Sequence, residues 1–211
     1  MSSAHETATE IVTNVTREGI STDEMIGTYS EWARNYDKDV VAYGRKTPEE
    51  TVSSITRIET NKDSLILDVA AGTGIVGEML KNNGFTNMDA LDASAEMLEI
   101  AEAKKIYNKT FCQFVTSEES PNLATNFYDV VVCVGAFYPG HLDHTCFPEL
   151  IRILKKGGRF YFTRPCHKLP GDIEIAIDEM EKQRMLKIFE KRFVKDITTH
   201  GDGYVFVLQK C

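Results

Sequence analysis

Two acids on either side of a run of glycines form the clearest chemical pattern in this sequence. Gly72, Gly74 and Gly77 have the spacing of a turn that leads from a strand into a helix and lets the backbone approach a bound nucleotide. Asp92 lies about 20 residues beyond Gly72, where a carboxylate typically accepts hydrogen bonds from the hydroxyls of a ribose. The pattern predicts a nucleoside cofactor, which can be a nicotinamide dinucleotide or S-adenosylmethionine.

The other acid, Asp68, favours one of these two cofactors. It ends the strand before the glycines, next to the place where a dinucleotide would put its pyrophosphate. At an effective dielectric constant near 20, unit charges about 4 Å apart interact by roughly 4 kcal/mol, so a carboxylate there would repel the phosphates. The same carboxylate would attract the ammonium and sulfonium groups of S-adenosylmethionine, which we therefore expect as the cofactor.

Candidate groups for the reaction itself follow the fourth and fifth predicted strands, because ligands of parallel sheets bind at the carboxyl ends of strands. Tyr138, His141 and His144 could orient or deprotonate a methyl acceptor. Methyl transfer is an in-line displacement that depends mainly on alignment, so a base is optional. Arg164 and His167 could bind an acidic group of the substrate. A surface location without a chemical role fits these side chains as well.

Two other kinds of site are disfavoured in the same region. His141, His144 and Cys146 have the spacing of metal ligands, but no fourth ligand is near in sequence, so no metal is predicted. Cys166 follows a proline, like the nucleophile of cytosine methyltransferases, but comes after the fifth strand and not the fourth. We therefore do not expect covalent catalysis by a cysteine.

Composition restricts the class of protein and of partner. A chain of 211 residues, 42% of them hydrophobic, favours a single α/β unit. The net charge of −8 disfavours nucleic acid and leaves a small molecule or a protein as the methyl acceptor. Five scattered cysteines predict reduced thiols and a cytoplasmic location. The sequence shows neither a secretory signal nor an apolar run long enough to span a membrane.

The elements that position these groups alternate between short strands and helices. This alternation predicts an α/β fold, a three-layer α/β/α sandwich with a mostly parallel, doubly wound sheet of about seven strands. The last two strands are separated by a short glycine-containing turn, so the sheet should end in an antiparallel hairpin. The predicted strands are 65–69, 88–91, 110–115, 128–134, 159–163, 193–198 and 204–208; the predicted helices between them are 75–82, 94–107, 147–155 and 172–186.

The first 60 residues are predicted to form helices that extend from, and close over, the domain at 61–211. Thr22 can cap a helix whose apolar residues recur at three- and four-residue steps. Thr47 can cap a second helix that begins at Pro48. These helices would form a lid over the cofactor.

The order of the motifs resembles that of class I S-adenosylmethionine-dependent methyltransferases. The stretch 67–74 resembles their first motif, 90–98 the second, and 128–131 and 154–160 the motifs of the fourth and fifth strands. The segment 29–37, together with 135–137 and 163–164, resembles the methyltransferase-like proteins of the Williams–Beuren region. The resemblance implies S-adenosylmethionine as cofactor and S-adenosylhomocysteine as product.

The resemblance also implies the residues that bind the cofactor. Tyr29, Trp32 and Tyr36 would cover it, with a cation–π attraction of about 0.5–2 kcal/mol to the sulfonium, although core packing explains their spacing equally. Thr116 stands where many relatives have an acid for the adenine amino group. The implied cofactor residues are Tyr29, Trp32, Tyr36, Asp68, Ala70, Gly72, Gly74, Asp92, Ala93, Met97, Thr116, Cys133 and Val134, with Phe137 on the substrate side.

Two other functions stay open at this level. A nicotinamide-dependent oxidoreductase would use the same glycine pattern, although Asp68 and the lack of a second substrate domain disfavour it. A protein that binds S-adenosylmethionine without catalysis would have the same motifs. The sequence indicates neither the acceptor nor the oligomeric state.

Overall fold

The computed structural model describes residues 4–166, 172–199 and 201–211. Its strands are β1 (Ile66–Val69), β2 (Met88–Asp92), β3 (Thr110–Cys112), β4 (Tyr128–Cys133), β5 (Leu154–Pro165), β6 (Leu186–Thr198) and β7 (Gly201–Lys210). Its helices are α1 (Ala4–Val15), α2 (Thr22–Tyr43), α3 (Thr47–Ile58), α4 (Ile75–Asn82), α5 (Ala95–Ala103), α6 (Phe147–Ile153) and α7 (Asp172–Lys182), with a short 3₁₀ helix at His144–Cys146.

The strands form one sheet with the order β3-β2-β1-β4-β5-β7-β6. Strands β1 to β5 run parallel to one another, and β7 runs antiparallel to both β5 and β6. The predicted parallel sheet with a terminal antiparallel pair is confirmed. The strand order reverses between β1 and β4, and the crevice outside such a point is where doubly wound sheets bind ligands.

Helices cover both faces of the sheet because alternate residues of its central strands point to opposite sides. Leu67 and Val131 pack with side chains of α6 and α7 on one face. Ile66 and Val130 pack with side chains of α3 and α4 on the other. The predicted three layers are therefore present, and they bury every residue of β1.

The terminal strands are longer than the sequence predicted. β6 begins at Leu186, seven residues before the predicted start at 193, and β7 ends at Lys210. Exposed charged side chains such as Lys187 obscured the first part of β6, since charges on an edge strand resemble those of a surface loop. One residue of the predicted turn, His200, lies outside the described residues.

The caps of the amino-terminal helices also differ from the sequence prediction. The hydroxyl of Ser21, and not that of Thr22, caps α2 by accepting a hydrogen bond from the Glu24 amide at 3.2 Å. Thr47 lies inside the first turn of α3, whose cap position is Lys46, and no side chain caps that helix. Pro at the start of α3 removes one amide that would otherwise need a partner, so the helix forms without a side-chain cap.

Other elements are shorter than predicted, and among them α7 ends at Lys182 and not at 186. β3 ends at Cys112, because the residues that follow it leave the sheet and line the pocket described below. α5 begins after its predicted cap, Ser94, but ends at Ala103. α6 ends at Ile153, and β5 follows it directly. In the described ranges, every helix is too short or too polar to cross a bilayer.

Candidate active site

A pocket lies at the carboxyl ends of β1, β2 and β4, where the strand order reverses. Its empty volume is about 680 Å³, including the part that is open to solvent. Its wall is formed by Met25, Ile26, Tyr29, Tyr36, Val69, Ala70, Gly72, Leu91, Asp92, Ala93, Ser94, Met97, Gln113, Phe114, Val115, Val134, Gly135, Ala136, His141 and Leu142.

The glycine loop, residues 70–74, turns the chain from β1 into α4. Gly72 and Gly74 have φ angles of 55° and 87°, in the left-handed region that glycine adopts without a Cβ clash. The Gly72 amide donates a hydrogen bond to Asp92 Oδ2 at 2.7 Å. The loop is thus attached to the acid at the end of the next strand, and Ala70 and Gly72 face the pocket.

Gly77, the third glycine of the pattern, has a packing role. A Cβ at this position would lie 2.3 Å from the Tyr107 hydroxyl oxygen, far inside contact distance. That hydroxyl donates a hydrogen bond to Asp68 Oδ2 at 2.6 Å. Gly77 therefore makes room for a tyrosine that binds the acid at the end of β1.

Asp68 lies beneath the glycine loop and does not line the pocket. It is 1% exposed, and burial raises its pKa to about 7 against the hydrogen bonds from Tyr107 and the Gly77 amide. The carboxylate therefore points towards Tyr107 and the start of α4, because this side chain at the end of β1 is buried under the loop.

Asp92, in contrast, lines the pocket. Its Oδ2 accepts the Gly72 amide, and its Oδ1 accepts the Ser94 amide at 2.9 Å. Burial raises the pKa of Asp92, while the backbone hydrogen bonds oppose this change. A carboxylate has about four acceptor positions, so both oxygens can still accept hydroxyl groups of a ligand.

The part of the wall next to Asp92 is mostly apolar. Ala93 and Met97, which follow β2, and Phe114 and Val115, which follow β3, line it. This arrangement suits the flat ring of a nucleobase. Sequence reasoning missed Phe114, although its place immediately after a parallel strand was a signal that could have identified it.

Thr116 is not on the wall. Its hydroxyl accepts the Glu118 amide at 3.1 Å. Gln113, which the sequence analysis also missed, lines the pocket instead. Its side-chain amide donates to the Ser120 hydroxyl at 2.8 Å, which holds its orientation.

Of the three aromatic residues on α2 that were predicted to cover the cofactor, two face the pocket. Tyr29 and Tyr36 line it, whereas Trp32 is 5% exposed and donates through Nε1 to Asp39 at 2.8 Å. The ring centroid of Trp32 lies 6.1 Å from that of Tyr29 and 4.7 Å from that of Tyr36. Trp32 therefore supports the two tyrosines from behind.

The structure describes all three candidate catalytic residues, and of these only His141 lines the pocket. Its Nδ1 lies 3.0 Å from the Pro139 carbonyl oxygen, and its Nε2 lies 3.1 Å from the Tyr29 hydroxyl. A carbonyl can only accept, so Nδ1 carries the proton and Nε2 accepts from Tyr29. Burial lowers the pKa of His141, which favours the neutral ring, and raises that of Tyr29, which keeps its proton.

The other two candidates lie at different distances from the pocket. The Tyr138 ring centroid lies 6.0 Å from that of His141, and burial raises the Tyr138 pKa to about 12. His144 begins the 3₁₀ helix and does not line the pocket. In the part of the chain that the structure describes, no group of three His, Cys, Asp or Glu residues could hold a metal ion.

Most of the predicted substrate residues are not at the pocket. Phe137 is fully buried, with ring centroids 5.6 Å from Phe147 and 5.2 Å from Phe162. Arg164 pairs with Glu174 of α7. His167 lies outside the described residues.

Of the remaining predicted cofactor residues, one lines the pocket and two do not. Cys133 is buried at the end of β4, and Val134 beside it lines the pocket. Gly74 is the cap position of α4 and does not line the pocket.

Arg45 is a charged residue next to the wall that sequence reasoning missed. It follows Gly44, which ends α2 with a φ of 78°, and its Nη2 donates to the Tyr36 hydroxyl at 2.9 Å. Its guanidinium also lies beside Gly135, where a Cβ would be 3.5 Å from Nη1. The glycine between two predicted helices was its only signal in the sequence.

Comparison with known proteins gives one family and one curated relative. Residues 67–162 match the model of a methyltransferase domain family. Over 163 residues the chain is 31% identical to methyltransferase-like protein 27 of Homo sapiens, which covers 74% of this chain. The chain spans 66% of the length of that relative, just under two thirds.

Solved structures share the fold at low sequence identity. The [4+2]-cyclase SpnF superposes with a TM-score of 0.70 at 13% identity, over 92% of this chain and 99% of that one. Magnesium protoporphyrin IX methyltransferase of Synechocystis PCC 6803, solved with bound S-adenosylmethionine, gives 0.60 at 13% identity, over 98% and 93%. Because one of these neighbours is a cyclase, the fold alone does not determine the reaction.

Proposed function

We propose that this chain, which belongs to the family of class I S-adenosylmethionine-dependent methyltransferases, transfers a methyl group from S-adenosylmethionine to a small-molecule or protein acceptor. The single observation that carries the proposal is Asp92, which faces the pocket at the end of β2 and is attached to the glycine loop through Gly72. An acid in this position suits a ribose, and the apolar wall beside it suits an adenine.

The residues present fit S-adenosylmethionine. Asp92 would accept the ribose hydroxyls, and Ala93, Met97 and Phe114 would enclose the adenine. Ala70, on the glycine loop, would face the amino-acid part. Of the other residues implied by the resemblance, Gly72, Val134, Tyr29 and Tyr36 line the wall, whereas Asp68, Gly74, Cys133 and Trp32 support it from behind.

Methyl transfer at this site requires alignment and the removal of a proton from the acceptor. When bound, S-adenosylmethionine supplies a methyl group on a positively charged sulfur. Neutral His141 can take the acceptor proton at Nε2 once Tyr29 yields that position. Tyr138, close to His141, would help to orient the acceptor.

The amino-terminal helices, residues 1–60, would act as a lid over the domain at 61–211. The contacts that hold α2 against the pocket include Ser30 to Ser94 at 2.8 Å, Lys104 to Asp37 at 2.7 Å, and Tyr29 to His141. Hydrogen exchange measured with and without S-adenosylhomocysteine tests this role. We expect slower exchange in α2 when the nucleoside is bound, and equal exchange would contradict a lid.

Charge and cysteine chemistry support the proposed class of acceptor and the proposed cytoplasmic location. A net charge of −8 favours a small molecule or a protein over nucleic acid. All five cysteines are free, which suits the reducing environment of the cytoplasm.

Calorimetric titration with S-adenosylmethionine, S-adenosylhomocysteine and NAD tests the proposal. We expect micromolar binding of the two sulfur nucleosides and none of NAD. Incubation with S-adenosylmethionine carrying a radioactive methyl group, together with fractionated metabolites and proteins, would then identify the acceptor. Binding of NAD alone would contradict the proposed function, and binding without any methyl transfer would leave a protein that uses the nucleoside only as a ligand.

A further inference from the structure

Helix α2 contacts both of the backbone segments on the nucleoside side of the pocket. The Ser30 hydroxyl lies 2.8 Å from the hydroxyl of Ser94, which caps α5 and follows closely after Asp92. Asp37 accepts a hydrogen bond through Oδ1 from the hydroxyl of Thr73, within the glycine loop. Ser30 and Asp37 are seven residues apart, or about two helical turns, so one face of α2 makes both contacts.

The contact with Thr73 acts directly on the glycine loop. Thr73 is buried between Gly72 and Gly74, two residues with left-handed φ angles. Because glycine has more conformational freedom than any other residue, a loop built on two glycines depends on contacts to hold its shape. The amide of Gly72 donates to Asp92. By fixing Thr73, the carboxylate of Asp37 therefore also limits how far this amide can turn away from Asp92.

The second oxygen of Asp37 binds the end of α5. Its Oδ2 accepts from Nζ of Lys104, the cap position of that helix, at 2.7 Å. The same Nζ lies 3.4 Å from Glu78 on α4. Since the lysine holds one oxygen, the other stays directed at Thr73. One side chain of α2 thus joins the glycine loop to α5, and Lys104 extends the contact to α4.

Asp37 differs from Asp39, which lies two residues further along α2. Asp39 is buried and accepts from Trp32 Nε1 at 2.8 Å, a bond within the same helix. The Asp37 side chain is 43% exposed, and ion pairs at such positions contribute little to stability. It is also the neighbour in sequence of Tyr36, which lines the pocket. The effect of Asp37 is therefore on the relative position of the loop and α2.

We propose that Asp37 is a positioning residue, which aligns the glycine loop with α2 for the binding of S-adenosylmethionine and S-adenosylhomocysteine. This inference rests on the proposed function. Asp37 does not line the pocket and acts through Thr73. Binding of the nucleoside at the loop and docking of α2 are then coupled, because both require the same arrangement of Thr73.

A double-mutant cycle on the affinity for S-adenosylhomocysteine tests this coupling. Asp37→Ala and Thr73→Val each remove one partner, and we expect each to bind about tenfold more weakly by calorimetry, or by about 1.4 kcal/mol. The double variant should bind no more weakly than Asp37→Ala, since the contact is already lost. Losses that multiply in the double variant, or unchanged affinity in Asp37→Ala, would contradict the proposal.

Two matched variants control for side effects of these changes. Thr73→Ser keeps the hydroxyl and should bind like wild type. Glu31→Gln removes a charge at an exposed position on α2 and should also bind like wild type. Urea unfolding identifies the variants that are fully folded at the temperature of the titration, where a change of affinity reports on the native state. A loss of affinity in Thr73→Ser as large as that in Thr73→Val would contradict a role for the hydroxyl.

Hydrogen exchange supplies a readout that a purely structural role would not change. In wild type, S-adenosylhomocysteine should slow exchange both in residues 70–74 and in α2. In Asp37→Ala saturated with the nucleoside, the loop should still be protected, whereas α2 should gain no protection. Equal protection of α2 in Asp37→Ala and wild type would contradict the coupling.

The failure of this inference is separable from that of the proposed function. Wild type that binds neither nucleoside would contradict the proposed cofactor. Wild type and Asp37→Ala that bind S-adenosylhomocysteine equally well would contradict only the role of Asp37.

Discussion

The two sides of the pocket are built in different ways. The nucleotide wall, formed by residues 69–72 and 91–97, comes from adjacent strands and one loop, and backbone amides hold its acid Asp92 in place. The acceptor wall, formed by Tyr29, Tyr36, Gly135 and His141, joins α2 to the segment after β4, and its contacts are made by side chains. The first wall is therefore fixed by the sheet, whereas the second depends on α2 remaining in position.

The two sides also differ in charge. Asp68 and Asp92 lie on the side of the nucleotide wall, and both have raised pKa values because of burial. The acceptor wall has the neutral ring of His141 and, behind it, the cation Arg45. The difference teaches that backbone hydrogen bonds hold the acid of the first wall, whereas the second wall depends on side-chain contacts that a single substitution can remove.

The largest expected effect is that of Asp92→Ala on the nucleotide wall. The change removes the acceptor for two ribose hydroxyls, each worth about 1.5–3 kcal/mol when the acceptor is charged. We expect affinity for S-adenosylhomocysteine to fall on the order of 1,000-fold, or about 4 kcal/mol, by calorimetry. Asp92→Asn, which keeps one acceptor oxygen, is the matched control and should lose less. Unchanged affinity in Asp92→Ala would remove the ribose assignment.

Gly77→Ala tests whether packing beneath the nucleotide wall is as tight as the structure indicates. The new Cβ would lie 2.3 Å from the Tyr107 hydroxyl oxygen, so the free energy of unfolding should fall by about 3 kcal/mol in urea. In a Tyr107→Ala background the clash is absent, and the same change should be neutral or stabilising by up to about 1 kcal/mol, because alanine favours a helix over glycine. Equal costs in both backgrounds would contradict the clash.

Much of the nucleotide wall could be predicted from the sequence. Gly72 and Asp92 lie in one continuous stretch, where the spacing along the chain determines the spacing in space. The direction of Asp68 was not predictable in the same way. Alternate side chains of a strand point to opposite faces of the sheet, so the last one can face either the pocket or the helix layer. Asp68 faces the helix layer, where it meets Tyr107, a partner 39 residues away in the sequence.

The acceptor wall could be predicted only in part. Tyr29 and His141 are 112 residues apart, and no local pattern indicates that they meet. From the helical spacing on α2, Trp32 was predicted to cover the cofactor together with Tyr29 and Tyr36. In the structure, Trp32 faces the interior. Phe137 looked like a loop residue at the site because nothing local distinguishes an aromatic side chain that lines a pocket from one that fills a core.

The pH dependence of stability offers a third way to sharpen the comparison. The pKa of Asp68 rises from 3.8 to about 7 on folding, so between these values the folded protein binds more protons than the unfolded chain. The free energy of unfolding should therefore fall as pH rises across this range, because the stabilising proton is lost as pH approaches 7.

Comparison of wild type with Asp68→Asn isolates this effect. Relative to the variant, wild type should lose about 2 kcal/mol between pH 5 and pH 7, since one pKa unit corresponds to about 1.36 kcal/mol. Urea unfolding at several pH values measures the difference. Asp63→Asn, an exposed acid before β1, should instead follow wild type. Parallel curves for wild type and Asp68→Asn would show that Asp68 is ionised throughout.

The smallest expected effect is that of Tyr29→Phe on the acceptor wall. The change removes the hydrogen bond to His141 Nε2, which favours the neutral ring, so the pKa of His141 should rise towards its ordinary value. The loss of stability should be about 1 kcal/mol at neutral pH. Nuclear magnetic resonance titration of the His141 ring measures the pKa directly.

The sign of the His141 effect is opposite to that of Asp68. Because folding lowers the pKa of His141, the folded protein loses stability as pH falls below the ordinary value of 6.5, and Tyr29→Phe should weaken this dependence. Tyr138→Phe is the matched control, since Tyr138 lies near the same ring without a recorded hydrogen bond to it. An unchanged His141 pKa in Tyr29→Phe would contradict the hydrogen bond between the Tyr29 hydroxyl and His141 Nε2.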